Sequence, residues 1–190
     1  MISSSGKFIE KVVSHQVVSF FNVNSLLYDN QFGFRKGHST THLLIKFTEY
    51  AHAAISGAEG RYSAIIFIDL KKAIDTVPYD LLLKKLNFYG VRGTANLWFK
   101  SYLNGRSQIT DVCGAFSSPL PVQMGVPQGS VLGPLLFLIY INDLYRATSL
   151  KTLLFADDMT MQHNSFCLRN LFTKINSELK MQKIGLPPIN

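Results

Sequence analysis

Three aspartates stand where apolar strands would otherwise run on. Asp69 ends the run Ser63-Ala64-Ile65-Ile66-Phe67-Ile68. Asp157-Asp158 separate Lys151-Thr152-Leu153-Leu154-Phe155 from Met159-Thr160-Met161-Gln162. The first run, apolar without alternation, reads as a strand buried on both faces. The second pair reads as a β-hairpin with two acids at its tip. A carboxylate taken out of water is costly unless it is paired, hydrogen-bonded or metal-bound. Neighbouring strands lie about 4.8 Å apart, so pairing of the first strand with the hairpin would bring the three carboxylates together. Converging anions raise one another's pKa, and a divalent cation relieves the repulsion. Two Mg²⁺ ions about 3.5–4 Å apart, held by carboxylates and phosphate oxygens, are the apparatus of nucleotidyl transfer. The plain alternative is an ordinary turn at Asp157-Asp158, because aspartate favours turns.

The rest of the chain mixes helices and short strands without a βαβ rhythm, which predicts an α+β fold. A helix is expected over Lys7–Phe21, with Ile9, Val12, Val13, Val17, Phe20 and Phe21 on one face. Ser39 or Thr40 can cap a second, carrying Leu43, Leu44, Phe47, Tyr50, Ala51 and Ala54. Pro78 suits the first turn of a third, with Leu81, Leu82, Leu83 and Leu86. A fourth covers Thr94–Leu103 with Leu97, Trp98 and Tyr102 inward, and modest strands follow near Gln108–Cys113 and Leu120–Met124. Ser130 can cap an apolar helix running to about Asn142. The last helix places Leu168, Leu171, Phe172, Ile175 and Leu179 on one face, and Gly185-Leu186-Pro187-Pro188 stops it.

Composition narrows the function classes. Hydrophobic residues make up 47% of 190 and charged residues 16%, which excludes disorder. The net charge of +7 fits a polyanionic partner, as it fits many basic domains. Cys113 and Cys167 form neither a CxxC nor a disulfide framework, so an intracellular, reducing setting is expected, nuclear or cytoplasmic alike. The longest apolar run, Val131–Ile141, is far short of the ~20 residues that span a bilayer, so no membrane role is expected. His38 and His42 have the i, i+4 spacing of a metal pair but lack a third ligand.

Four blocks, in order, resemble those of reverse transcriptases from non-LTR (LINE-type) retrotransposons. Phe67-Ile68-Asp69-Leu70-Lys71-Lys72-Ala73-Ile74-Asp75-Thr76-Val77 is similar to the first catalytic block. Gly125-Val126-Pro127-Gln128-Gly129-Ser130-Val131-Leu132-Gly133-Pro134-Leu135-Leu136-Phe137 is similar to the second, and Phe155-Ala156-Asp157-Asp158 to the third. Gln31-Phe32-Gly33-Phe34-Arg35-Lys36-Gly37-His38-Ser39-Thr40 matches an upstream fingers block. The resemblance covers roughly residues 7–182 and overturns the turn-only reading.

It implies an RNA-directed DNA polymerase core: a palm with a small antiparallel sheet backed by helices, plus partial fingers and no thumb. Residues 1–60 would be fingers, 61–182 palm and 183–190 a tail. The implied cofactor is Mg²⁺, two ions, with Mn²⁺ able to substitute. The implied partners are an RNA template, a DNA primer and dNTP, and the oligomeric state is left open. Asp69 and Asp157 would ligate metal, with Asp158 at or beside it. Gln128 and Gly129 would lie over the incoming nucleotide. Arg35 and Lys36 would meet phosphates, or else form a solvated basic turn, and Lys71 and Lys72 read mainly as surface lysines. Position 74, usually aromatic in this family and packed under the sugar, is Ile74 here, which implies weaker discrimination against ribonucleotides. The sequence also lacks the family's preceding basic segment, the later lysine-bearing palm block and the thumb. It is therefore expected to be a remnant or fragment with weak processivity, or an inactive one that at most binds nucleic acid.

Overall fold

The computed structural model describes residues 4–57, 60–70 and 72–183. Lys71, the expected stop at Gly185–Pro188 and the tail from 184 lie outside the described residues. The chain divides into two compact units, each built from two stretches: Met1–Leu27 with Lys72–Ile141, and Tyr28–Lys71 with Asn142–Asn190.

The first unit is mainly helical. It holds α1 (Ser4–Val23), a 3-10 turn at Ala73–Thr76, α3 (Tyr79–Phe88), α4 (Gly93–Leu103) and α5 (Leu132–Ile141). Four two-residue strands, β2 (Ser107–Gln108), β3 (Asp111–Val112), β4 (Ala115–Phe116) and β5 (Leu120–Pro121), pair as β2 with β5 and β3 with β4. The core helix is α5, apolar on every side and buried along nearly its whole length. Both α1 and α3 pack against it. Ser130 caps its start, its Oγ accepting from the Gly133 N–H at 2.8 Å. Glu10 of α1 is also buried there. One oxygen accepts from the Val131 N–H at 2.6 Å and the other from the Tyr102 hydroxyl at 2.9 Å. A carboxylate at a helix N-terminus meets both the free N–H groups and the positive end of the helix dipole.

The second unit is a three-stranded antiparallel sheet with two helices. Its strands are β1 (Tyr62–Asp69), β6 (Lys151–Phe155) and β7 (Asp158–Ser165), in the order β1-β7-β6. The helix α2 (Thr40–Ile55) packs on β1 and β6, and α6 (Leu168–Lys183) on β7 and β1. Ser39, not Thr40, caps α2. The expected fold class therefore stands: small antiparallel sheets flanked by helices.

Several faces differ from the periodicity reading. The strand expected to be buried on both faces is an edge strand, and Phe67 in it is 73% exposed. In α1 the buried positions are Glu10, Val17 and Phe21, while Ile9, Val12 and Phe20 are exposed. In α4 Phe99 and Leu103 are buried and Leu97 is exposed; Trp98 stacks on Tyr102 with ring centroids 5.4 Å apart. In α6 Leu171, Ile175 and Glu178 are buried, and Leu168 and Phe172 are exposed. Each helix carries more apolar residues than one face can bury, so the hydrophobic stripe alone does not fix its rotation.

Candidate active site

Backbone pairing, not side-chain packing, brings the acids together. The ladder between β1 and β7 runs from Tyr62 opposite Ser165 to Asp69 opposite Asp158. Residues directly opposite in an antiparallel pair share a face, with Cα atoms about 4.5–5.5 Å apart. Asp69 and Asp158 therefore sit side by side at one end of the sheet. Asp157 precedes them in the two-residue turn, Ala156-Asp157, that joins β6 to β7. The acids are not buried, contrary to the expectation from their apolar surroundings: Asp69 and Asp158 are exposed and Asp157 is half-buried. An edge strand and a hairpin tip leave their side chains in water. Among the described residues, none of the three carboxylates has a hydrogen-bond or ion-pair partner. A cleft of about 470 Å³ opens beside them, lined by Leu43, Leu44, Phe67, Asp69 and Asp158 among others.

The upstream block holds the hairpin tip. Phe32 donates to the Leu154 carbonyl at 2.8 Å, and Leu154 donates to the Asn30 carbonyl at 2.9 Å. The buried Gln31 side chain accepts from Gly33 at 2.8 Å and from the Ala156 N–H at 3.2 Å. Ala156 has a φ of +52°, a left-handed conformation that costs a non-glycine residue about 1–2 kcal/mol and must be held by its surroundings. Gly33 packs so closely that a Cβ there would lie 2.0 Å from the Ala156 nitrogen. Gln31 and Gly33 are thus positioning residues for the acids. Sequence reasoning quoted both without giving them this role.

Arg35 clasps the same loop. Its guanidinium donates to the carbonyls of Tyr28 at 2.8 Å and Gln31 at 3.2 Å, and burial pushes its pKa down from the usual value. Lys36 is exposed beside it.

The remaining candidates lie in the helical unit. Gly125 donates to the Val77 carbonyl at 2.9 Å, and Val126 donates to the Ile74 carbonyl at 3.0 Å. The Gln128 amide donates to the Asp75 carboxylate at 2.6 Å. A Cβ on Gly125, at φ +88°, would meet the Asp75 carbonyl at 2.7 Å. The second block is therefore laced onto the tail of the first, and Ile74, Gln128 and Gly129 come from adjoining segments. Gly129 has φ +72° and open space around its Cα, so backbone there is approachable and only glycine adopts it without strain. Asp75, the partner of Gln128, was quoted in the sequence without a role; nothing in the sequence signals a pairing 53 residues apart.

The donor set suits a hard cation. Mg²⁺ is usually held by one or two carboxylates, with water and substrate phosphates completing the shell. A pair of accessible aspartates in register, without partners among the described residues, fits that use. Among the described residues, no group of three or more His, Cys, Asp or Glu side chains converges as a cation cage. No described helix is long and apolar enough to cross a membrane.

A family profile described as reverse transcriptase (RNA-dependent DNA polymerase) matches residues 1–187. The chain is 34% identical over 181 residues to the probable RNA-directed DNA polymerase from transposon BS of Drosophila melanogaster, covering 88% of this chain and 19% of that protein. It is 33% identical to the corresponding protein from transposon X-element of the same organism, again covering 88% and 19%. The chain thus spans about a fifth of the curated relatives it matches. In fold it is similar to telomerase from Candida albicans, with a TM-score of 0.63, 12% identity, and coverage of 90% of this chain and 32% of that one. The chain belongs to the reverse transcriptase (RNA-dependent DNA polymerase) family and is homologous to the enzymes of non-LTR retrotransposons.

Proposed function

We propose that the Asp69–Asp157–Asp158 tip is the nucleotidyl-transfer centre of an RNA-directed DNA polymerase. It extends a DNA primer from dNTP on an RNA template. The observation that carries the reading is the Asp69–Asp158 register pair, two carboxylates placed side by side by the backbone ladder yet without protein partners among the described residues. In this reading 1–60 serves as fingers and 61–182 as palm. Asp69 and Asp157 would hold Mg²⁺, or Mn²⁺ in its place, with Asp158 beside them. The bound cation supplies Lewis-acid neutralisation of the triphosphate and of the attacking oxygen.

The chain's own groups do the positioning. The hairpin fixes where the carboxylates stand, and Gln31 and Gly33 hold that hairpin. The primer 3′-oxygen forms a bond to the α-phosphorus, the bond to the bridging oxygen breaks, pyrophosphate leaves, and the hydroxyl proton passes to solvent. Gly129 lets backbone approach the nucleotide, and Gln128 offers an amide that can exchange Asp75 for the ligand. Arg35 and Lys36 supply positive charge on the acids' own unit. Ile74 walls the sugar; equal dNTP-to-rNTP selectivity in the wild type and Ile74→Phe would remove that role.

The test is Mg²⁺-dependent extension of oligo(dT) on poly(rA), with Asp157→Ala as control. Incorporation lost in the variant supports the reading. Equal incorporation by a folded variant overturns it.

A further inference from the structure

The helical unit holds a cavity of about 860 Å³, whose lining includes Arg106, Tyr79, Gln108, Gln123, Asp75 and Gln128. Among the described residues, Arg106 is the only cation in that lining. Its Nε donates to the Tyr102 carbonyl at 2.7 Å, and its guanidinium lies 4.4 Å from the Tyr102 ring centre. The terminal nitrogens have no protein partner among the described residues. The fork is therefore held from behind and unspent in front. Tyr79 is 7% exposed, and among the described residues its buried hydroxyl has no hydrogen-bond partner. Such a group costs about 1–3 kcal/mol if nothing binds it. Burial pushes the Tyr79 pKa up and the Arg106 charge works against that, which places the two groups within electrostatic reach. The opposing charge, Asp75, is already engaged by the Gln128 amide at 2.6 Å.

We propose that this cavity seats a backbone phosphodiester of a bound nucleic-acid strand, with the Arg106 fork as counter-charge and the Tyr79 hydroxyl as second donor. The proposal rests on the polymerase reading and adds a strand contact to it. A phosphodiester carries one negative charge, which one guanidinium matches; a free triphosphate would bring several charges to a lining with a single cation. An adjoining recess of about 470 Å³, lined by Asp80 and Asn104 as well, shares Tyr79, Arg106, Val122 and Met124, so the surface continues beyond the first cavity. The Gln108 and Gln123 amides add donors and acceptors for sugar or base.

The test is fluorescence anisotropy of labelled single-stranded oligo(rA) in EDTA, titrated across salt concentrations. Wild type, Arg106→Gln, Arg106→Lys and Tyr79→Phe are compared, with a thermal melt of each. Loss of one phosphate contact should lower the slope of log affinity against log salt by about 0.7 in Arg106→Gln. Arg106→Lys should keep the slope. Tyr79→Phe should weaken binding about threefold or more, with an unchanged or higher melting temperature, because it removes a hydroxyl the free protein does not satisfy. An unchanged slope in Arg106→Gln overturns the proposal. So does a lower melting temperature with unchanged affinity in Tyr79→Phe, or wild type that binds no strand. Should Arg106→Gln not fold, Tyr79→Phe decides alone. Extension activity is a separate readout, so failure of the polymerase reading leaves a different signature.

Discussion

Asp69 and Asp158 are exposed and have no protein partner among the described residues, whereas Glu10 and Glu178 are 3% and 5% exposed and bonded on both oxygens. Glu10 closes the start of α5. Glu178 accepts from Thr148 at 2.8 Å and Ser149 at 2.7 Å and pairs with Lys174 at 2.9 Å. Burial pushes the Glu178 pKa up, but the bonds from Ser149, Lys174 and Thr148 outweigh it and hold the value at about 2. The contrast separates two uses of one functional group. A buried carboxylate with both oxygens bonded is part of the packing. An accessible one on a rigid tip keeps its lone pairs for a ligand.

The largest expected break in the comparison comes from the tip. Asp157→Ala should cut primer extension by about 10²–10³-fold or more while leaving the melting temperature nearly unchanged, because no protein contact is lost. A large drop in melting temperature would mean that this carboxylate belongs with the structural set. Gly33→Ala should come next. The added methyl meets backbone at the Ala156 turn, and a misplacement of about 1 Å at a reacting site costs roughly 10²-fold in rate. Extension at the wild-type rate in that variant would show that the tip tolerates displacement.

Glu10→Ala should do the reverse. It strands the Val131 N–H and the Tyr102 hydroxyl and should cost about 2–4 kcal/mol in denaturant unfolding. Activity per folded molecule should stay within about twofold, since the change removes packing and touches no reacting group. The smallest effect belongs to Glu178. Its folded-state pKa lies below its ordinary 4.5, so its stabilisation is complete above that value and is lost as pH falls from about 4.5 toward 2. Glu178→Gln should flatten that part of the acid limb, by under about 1 kcal/mol because Lys174 is partly exposed to solvent. An unchanged acid profile would show that its bonds contribute nothing net.

The same contrast explains what was legible beforehand. The hairpin and the three aspartates are legible because apolar runs and turn residues are local signals, and the order of the blocks is legible through the family resemblance. The α5 cap was readable too, since Ser130 stands three residues before Gly133. The exposure of the acids is not legible: apolar neighbours in sequence imply apolar surroundings in space, yet the tip of an edge-paired hairpin is open to water. The truly buried carboxylates went unnoticed because Glu10 and Glu178 sit among charged neighbours in helices, and only helix rotation turns them inward. Arg106 and Tyr79 were equally silent, since their shared cavity joins segments 27 residues apart in number with no pattern between them.

The most direct test is a Mg²⁺ titration of single-nucleotide dTTP incorporation on poly(rA)/oligo(dT), comparing wild type with Asp69→Asn. Asparagine keeps the size of the side chain and its place in the ladder opposite Asp158, and removes only the charge. Saturable, Mg²⁺-dependent incorporation by the wild type, with none by the variant at any Mg²⁺ concentration, is the predicted result. A folded Asp69→Asn that incorporates at the wild-type rate with the same Mg²⁺ dependence would contradict it.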